Sequence, residues 1–522
     1  MRLALSVLCA AGLTALATPG AVGGLGIVAP PAPEGSALPW VSPSPNSGVC
    51  PVVVEGVPKE GGPLQILEIG AMVYCTDAWG GRGFEYWAAH LHRAGRVPTL
   101  KEVLDADWVS ETSSWFAEPV AGALVLYLST LWGRGSAGER LLAWRPGEAE
   151  LDSLESGWSF FLDALLRSFR GVIEEERDRA ARFRTGEPAT IKGVNFSHEG
   201  YGGFDGYLSL RSDASLERLA ELGANGVAIL PYAFLADPAR PAPIEPPVRP
   251  GSETDQAVVH AVRSAQDLGL TVLLKPHIWV RGSWPGEIRM SSARDWDRFF
   301  SYYERWIEHY ALMAEIHGVP ILSVGVELSG AVPGQEERWV ALVERLRLVY
   351  SGALVYAANW GEEFEGLSFW DAFDYIGVDA YYPLSDDPDA SDTELEAGAR
   401  NMIARLETVH RRHDVPLLLT EIGFASTRGA WIRPWEGHRS QERSERDQFR
   451  SYRAVLAALE GHDWIHGAFW WKWPSDPRRA ERFPRGFKPI GKAAEVLLGE
   501  WFRGEPSSSW PRWSELAPST ED

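Results

Sequence analysis

Two glutamates each close an apolar run that is long enough to form a buried strand. Glu327 ends the run 320–326, and Glu421 ends the run 415–420. A lone carboxylate is costly to bury, so two carboxylates in this setting indicate a polar site at which both runs end. One carboxyl that donates a proton and another that attacks an anomeric carbon are what the cleavage of a glycosidic bond requires.

The two runs belong to a regular alternation of short β-branched segments and longer helical patterns. Such alternation is typical of parallel βαβ units, and eight units in about 310 residues predict a closed (β/α)8 TIM barrel over residues 189–502. A doubly wound open sheet is the alternative, but no Gly-x-Gly-x-x-Gly string follows the first strand. Strands are predicted near 191–196, 226–231, 271–276, 320–326, 353–359, 374–380, 416–421 and 465–472, and the main helices over 216–222, 256–268, 296–316, 337–350, 395–412 and 444–459.

The active site of such a barrel lies at the carboxyl ends of the strands. Glu327, at the end of strand four, is predicted to be the general acid/base of a retaining glycoside hydrolase, and Glu421, at the end of strand seven, its nucleophile. The charge of Glu421 is expected to raise the pKa of Glu327 and keep it protonated for the first step. Other strand-end residues are predicted to bind the substrate, namely Asn195, Lys275, His277, Asn359, Trp360, Asp379, Tyr381 and Trp471. Tryptophans in the following loops are predicted as outer sugar platforms, namely Trp279, Trp284, Trp431 and Trp435.

Five strand-end motifs together resemble glycoside hydrolase family 113. They are Lys192-Gly-Val-Asn195, Val324-Gly-Val-Glu327-Leu, Asp374-Tyr-Ile-Gly-Val-Asp379-Ala-Tyr-Tyr-Pro383, Thr420-Glu421-Ile-Gly-Phe424 and Phe469-Trp-Trp-Lys-Trp473. The resemblance covers about 191–500 and implies an endo-acting β-1,4-mannanase with its acid/base on strand four and its nucleophile on strand seven. It also implies that Tyr381 hydrogen-bonds the nucleophile.

One position departs from the wider clan to which this family belongs. Many relatives carry an asparagine before the acid/base, where it binds the sugar 2-hydroxyl, but Val326 occupies that position here. We expect Lys275, His277 or Asn359 to make the contact instead.

Two other functions are compatible with the same barrel. His277, Glu327 and Asp379 can be read as ligands of a metal-dependent hydrolase or isomerase, although strand one lacks a His-x-His pair. A carbohydrate-binding or scaffold protein without catalysis is the third possibility, and the presence of both glutamates argues against it. No cofactor is implied by any motif.

Composition narrows the class of partner. The formal charge of −21 disfavours nucleic acid and anionic membranes, since both reward a basic face. The chain contains 24 Trp, and flat apolar rings with a polar edge suit the C–H faces and hydroxyl rims of sugars. We therefore expect a neutral carbohydrate as the substrate, and the sequence does not indicate an oligomeric state.

The remainder of the chain divides by composition. Residues 1–21 resemble a secretory signal peptide, which predicts a secreted or periplasmic protein, with an uncleaved N-terminal anchor as the alternative. A linker is predicted over 22–48, an α-rich domain over 49–170, a charged helix and linker over 171–188, and a disordered tail over 503–522. Export would allow Cys50 and Cys75 to pair. We expect no other apolar stretch to span a bilayer, which takes about 20 residues.

Overall fold

The computed structural model describes residues 65–76, 79–133, 137–185, 190–198, 206–437 and 442–516. All of them lie in one compact unit, residues 38–522. The predicted signal peptide and linker lie outside the described residues. Cys75 is disulfide-bonded, and its predicted partner Cys50 also lies outside them.

An N-terminal group of helices precedes a strand-and-helix region. The first group comprises α1 Gln65–Tyr74, α2 Phe84–Arg93, α3 Leu100–Val103, α4 Ala106–Glu111, α5 Ser114–Trp132, α6 Ala137–Ala143 and α7 Glu148–Thr185. The strands that follow are β1 Ile191–Ser197, β2 Gly226–Ile229, β3 Tyr232–Leu235, β4 Thr271–Leu274, β5 His277–Val280, β6 Ile321–Val326, β7 Ala353–Asn359, β8 Tyr375–Asp379, β9 Leu417–Ile422 and β10 Ile465–Pro474. The helices between and after them are α8 Leu210–Glu221, α9 Asp255–Asp267, α10 Ala293–Ile316, α11 Glu336–Val349, α12 Glu362–Gly366, α13 Asp392–His413, α14 Glu445–Ala458, α15 Arg478–Arg482, α16 Ala493–Arg503 and α17 Trp513–Leu516.

Eight strands close into a barrel in the order β1-β10-β9-β8-β7-β6-β4-β2. Every pair of neighbours is parallel, as helical crossovers require. This confirms the predicted TIM barrel. Strand six of the barrel is β8, strand four is β6 and strand seven is β9, so the predicted catalytic pair lies on two strands separated by β7 and β8.

Five helices of the barrel begin after a residue whose side chain accepts a backbone N–H of the first turn. The hydroxyls that do so precede α8, α9, α10, α13 and α14, and they belong to Ser209, Thr254, Ser292, Ser391 and Ser444. Each of these caps satisfies a donor that the first helical turn cannot pair. Such caps fix where each strand-to-helix loop ends, and the active-site loops are of this kind.

Two barrel strands continue beyond the rim, which the sequence did not predict. After Pro231 the chain of β2 resumes as β3, and after Pro276 the chain of β4 resumes as β5. β3 and β5 pair with each other in parallel, with Tyr232 opposite His277 and Phe234 opposite Trp279. We call the face formed by Tyr232, Phe234, His277 and Trp279 the rim platform, because alternate residues of a strand point to the same side.

The N-terminal helices form a packed domain, and its central helix is α5. α5 is long and apolar enough to cross a membrane by length and composition, but 72% of that window is buried inside the protein. α7 is a single helix of 38 residues, whereas the sequence predicted a domain end at 170 and a separate charged segment from 171. The charged half therefore continues the last helix of the domain without a break.

Arginines of this domain bind backbone carbonyls of the barrel. Arg93 donates to Leu348 O at 2.7 Å, and Arg177 donates to Arg347 O at 3.0 Å. Arg184 donates to Ser351 O at 2.8 Å. These acceptors lie at the end of α11 and in the turn before β7, so the domain is docked on that side of the barrel.

The chain after α16 is ordered through residue 516, so the predicted disordered tail is wrong for 503–516. Trp510 is buried, and Arg453 of α14 donates to the carbonyl of Pro511 at 3.1 Å. The backbone N–H of Ser507 donates to Glu460 at 2.7 Å. The segment is polar except for a few residues such as Trp510, so its composition predicted disorder. Burial of the Trp510 ring holds the segment on the barrel.

Candidate active site

Glu421 lies at the end of β9 and is held through both carboxylate oxygens. Its Oε1 accepts a hydrogen bond from Lys275 Nζ at 2.6 Å, and its Oε2 accepts one from Tyr381 Oη at 2.8 Å. Both donors are buried. A carboxylate fixed at both oxygens keeps one orientation, and its remaining lone pairs can face an approaching carbon atom.

Lys275 lies between two carboxylates beneath the cleft. Besides Glu421, its Nζ binds Asp379 Oδ1 at 3.0 Å, and the lysine side chain is fully buried. Burial alone lowers the pKa of Lys275, but the adjacent charges of Asp379 and Glu421 outweigh it and raise the pKa overall. The ammonium is therefore held in its charged form.

Asp379 ends β8 next to this lysine. Burial, with the nearby charge of Glu421, raises the pKa of Asp379 to about 8, although Lys275 and a hydrogen bond from Thr420 Oγ1 at 2.7 Å oppose the shift. Its Oδ2 is buried and has no partner among the described residues. Asp379 therefore shares the charge of Lys275 with the nucleophile candidate and does not reach the cleft.

Glu327 follows β6 in a strained backbone conformation. Its φ of 51° lies in the left-handed region, which is uncommon for residues other than glycine, and its N–H donates to Ala357 O at 2.8 Å. Burial raises the pKa of Glu327 well above its usual range, and the charges of Asp379 and Glu421 add to this effect, while Lys275 opposes it. The two glutamates thus differ in environment, since Glu421 is held by a cationic and a hydroxyl donor, whereas burial favours the protonated form of Glu327.

Three predicted substrate-binding residues lie behind the site and not at its surface. Asn195, Lys275 and Asp379 are each fully buried. Asn195 uses its amide nitrogen to donate to Thr420 O at 3.0 Å and Phe469 O at 3.1 Å. In this structure the side-chain nitrogens of Asn195 and Lys275 bind the barrel backbone, Asp379 or Glu421, so contact of these three residues with substrate stays a prediction.

His277, Asn359, Trp360 and Trp471 are the predicted binding residues that retain some exposure or a spare polar group. His277 Nε2 lies 3.9 Å from Glu421 Oε1 and has no hydrogen-bond partner among the described residues. Burial, together with the charge of Lys275, holds the pKa of His277 well below its usual range, so this contact is not an ion pair. A neutral imidazole with a spare ring nitrogen can bind a sugar hydroxyl.

Trp471 is partly exposed at the end of β10, where β9 and β10 come close together. A Cβ on Gly423 would lie 2.3 Å from the carbonyl oxygen of Trp471, so only glycine permits this approach two residues after Glu421. The peptide between Trp471 and Lys472 is cis. The predicted sugar floor therefore lies directly beside the end of the nucleophile strand.

The predicted outer platforms divide into exposed and buried tryptophans. Trp279, Trp284 and Trp435 are exposed, and Trp435 stacks on Trp360 with ring centroids 5.1 Å apart. Trp431 is fully buried and donates from Nε1 to Asp387 O at 2.8 Å. The prediction for Trp431 is therefore wrong, because its loop folds back and places the ring in the core.

Two features of the site were missed from the sequence. Glu363 on α12 accepts three hydrogen bonds beside Glu327, and the pair Glu362-Glu363 gave no sign that one of them points inward. Tyr232 of the rim platform lies with its ring 4.9 Å from that of His277. The sequence does mark the rim platform, because an aromatic ring stands at the first and third positions after each of the strand-end prolines Pro231 and Pro276.

No metal centre is found in the part of the chain that the structure describes. Among those residues, no three His, Cys, Asp or Glu side chains are grouped so that they could hold an ion. His277, Glu327 and Asp379, which the metal-dependent alternative requires, are not such a group.

A family model and two solved structures of similar fold agree on one family. A model of Glycoside Hydrolase Family 113 matches residues 197–492. The structure resembles a GH113 β-mannanase from Alicyclobacillus acidocaldarius, solved in complex with ManMIm, at 29% identity and a TM-score of 0.55, over 61% of this chain and 98% of that one. A GH113 β-1,4-mannanase is similar in fold at 24% identity and a TM-score of 0.53, over 60% of this chain and 99% of that one. No curated protein matches the chain.

Proposed function

Because the chain belongs to glycoside hydrolase family 113, we propose that it is an endo-acting, retaining β-1,4-mannanase, with Glu327 as acid/base and Glu421 as nucleophile. The observation that carries the assignment is the different environment of the two carboxyl groups. Glu421 accepts from Lys275 and Tyr381, whereas burial and neighbouring charge raise the pKa of Glu327. A fixed carboxylate and a carboxyl that keeps its proton are the two groups that glycoside cleavage needs.

In the first step, Glu327 donates its proton to the glycosidic oxygen while Glu421 attacks the anomeric carbon. The bond to the leaving sugar breaks, and a glycosyl ester forms on Glu421. Tyr381 and Lys275 hold the nucleophile in line as its charge is consumed. Loss of that charge removes one cause of the raised pKa of Glu327, so Glu327 stays ionised after the first step. In the second step it takes a proton from a water molecule whose oxygen attacks the anomeric carbon, and the ester bond breaks and releases Glu421.

The substrate is bound by groups on both sides of this pair. His277 Nε2 has no hydrogen-bond partner among the described residues, and Asn359 is partly exposed. Either side chain can bind the sugar 2-hydroxyl, a contact that an asparagine at position 326 would otherwise make. Trp471 supplies the floor under the reacting sugar. The choice of mannan is supported by the relative from Alicyclobacillus acidocaldarius, which is described as a β-mannanase.

The test is the release of reducing sugar by the purified protein from β-1,4-mannan, glucomannan, cellulose, xylan and galactan. We expect activity on the mannans and a loss of at least a thousandfold in Glu421→Ala, since the nucleophile acts in every turnover. Proton NMR of the first product then assigns the stereochemistry, and retention of the β-anomer is expected.

Either part of the proposal can fail separately. Activity that survives in Glu421→Ala would overturn the nucleophile assignment, and an α-anomer as first product would overturn retention. Sugar binding without turnover on the whole panel would favour the carbohydrate-binding alternative.

A further inference from the structure

Glu363 accepts three hydrogen bonds from two segments around the acid/base, the loop after β6 and the strand β7. Its Oε2 accepts from Ser329 Oγ at 2.6 Å and from the backbone N–H of Asn359 at 2.9 Å. Its Oε1 accepts from Tyr356 Oη at 2.5 Å. Burial raises the pKa of Glu363, and the three donated hydrogen bonds oppose that rise.

These bonds fix the backbone directly after Glu327. Ser329 stands two residues later, and Tyr356 Oη also accepts the N–H of Leu328 at 3.2 Å. The left-handed conformation of Glu327 costs about 1–3 kcal/mol, so neighbouring contacts must hold it. Glu363 reaches both residues that follow the strained position, one directly and one through Tyr356.

Glu363 also differs from the other charged groups that face Glu327. Those other groups are Asp379, Glu421 and Lys275, and the hydrogen bonds of Lys275 join them. Among the described residues, Glu363 accepts hydrogen bonds from two hydroxyls and one backbone N–H, which lie in the loop after β6 and on β7. Its charge can therefore be removed without disturbing the lysine that holds the nucleophile.

We propose that Glu363 is a positioning residue for the acid/base, which holds the backbone after Glu327 and places a negative charge beside it. The inference rests on the proposed roles of Glu327 and Glu421. The added charge makes the ionised form of Glu327 less favourable and extends the pH range in which it carries a proton.

Glu363→Gln separates the charge from the hydrogen bonds. The glutamine oxygen can take the place of Oε2 and accept from Ser329 and Asn359, while its amide donates to Tyr356 Oη. We expect kcat near the pH optimum to stay within a few-fold. The basic limb of kcat/KM against pH, which reports loss of the proton from Glu327, should move down by about half a pH unit.

Tyr356→Phe is the matched variant, because it keeps the carboxyl group of Glu363 and removes both bonds of Tyr356 Oη, one to the N–H of Leu328 and one to Glu363 Oε1. We expect a several-fold lower kcat at every pH, with the basic limb unmoved. Thermal unfolding of both variants checks that each is folded at the assay temperature. A Glu363→Gln profile with the wild-type basic limb would overturn the proposal.

A second measurement does not depend on the substrate. In protein labelled with ¹³C at the glutamate carboxyl carbon, the signal of Glu327 is the one lost in Glu327→Gln. Its titration midpoint should be lower in Glu363→Gln than in the wild type, and an equal midpoint would overturn the proposal. Absence of wild-type turnover would count against the mannanase assignment alone, since the titration still tests Glu363.

Discussion

At the scale of single residues, the charge of the site depends on one lysine. Glu327, Asp379 and Glu421 lie around the ammonium of Lys275, and that lysine touches two of them. A buried cation that bonds two carboxylates offsets the repulsion between them. Removing it leaves two buried carboxyl groups without that cation.

We therefore predict that Lys275→Met lowers kcat on the active substrate by about a hundredfold or more, because Glu421 loses its orienting donor. Unfolding in urea should show a loss of roughly 3–5 kcal/mol at neutral pH, the usual cost of breaking one side of a buried pair. Lys492→Met is the control, since Lys492 is also buried but binds Ser426 Oγ at 2.6 Å. Equal effects on kcat in the two variants would contradict the role given to Lys275.

The sequence predicted the positions of the two glutamates but not which strand-end side chains face the cleft. Bulges change the side on which a residue points, and the register shifts between Val378 and Asp379 and between Ala468 and Trp470. Asp379 stands at one of these shifts, and its Oδ1 accepts from Lys275 Nζ and Thr420 Oγ1. Such shifts are set by how neighbouring strands meet, which a single strand's sequence does not record.

At the scale of elements, the rim platform is the feature that extends the site. Ala233, Leu235, Ile278 and Val280 on its back are buried, whereas the rings of Phe234 and Trp279 are each 57% exposed. The platform begins at His277, which is 3.9 Å from Glu421. Exposed aromatic surface that leads away from a catalytic group is suited to further sugars of a chain.

We predict that Trp279→Ala raises KM for long mannan oligosaccharides by about tenfold, because the stacked ring supplies binding and takes no part in the chemistry. Activity on an aryl mannoside, which is too short to reach the platform, should stay within about twofold. Phe160→Ala removes an exposed ring from α7 and serves as the control. A similar loss on both substrates would contradict the platform role.

Prolines explain why this element was missed. Pro231 and Pro276 lack the N–H that a sheet ladder needs, so strand predictions ended at them. In the structure the chain resumes a strand directly after each proline, because the two extensions pair with each other at the same height. That pairing is a contact between distant segments and leaves no local pattern.

At the scale of the whole molecule, the N-terminal domain and the barrel pack together as one compact unit. His90 is buried and its Nε2 donates to Val349 O at 3.0 Å, and Arg96 of the same domain binds Glu308 of α10 at 2.5 Å. Burial raises the pKa of Glu308 to about 7, against the effect of Arg96. These contacts cover the side of the barrel formed by α10 and α11.

We predict that a chain of residues 189–522 is less stable than a chain of residues 49–522, or insoluble, since it uncovers that side of the barrel. Thermal unfolding should show a single transition in the longer chain and a lower midpoint in the shorter one. Two separate transitions in the longer chain, or equal midpoints, would show that the domain adds nothing to the barrel.

The sequence indicated both domains but could not predict how they dock. Much of the interface consists of arginines that donate to backbone carbonyls, such as those of Leu348, Arg347 and Ser351. Any residue type offers such a carbonyl, so the acceptors have no signature. The barrel itself was predictable because its strands and helices repeat with regular spacing.

The unbroken course of α7 has a consequence for anyone who joins or exchanges these domains. At 1.5 Å per residue the helix is about 57 Å long, and its second half carries the arginines that bind the barrel. One residue inserted near Gly171 would turn everything before it by about 100° about the helix axis. Chimeras must therefore preserve helical phase as well as length, and seven inserted residues, nearly two full turns, should disturb the domain's orientation far less than two.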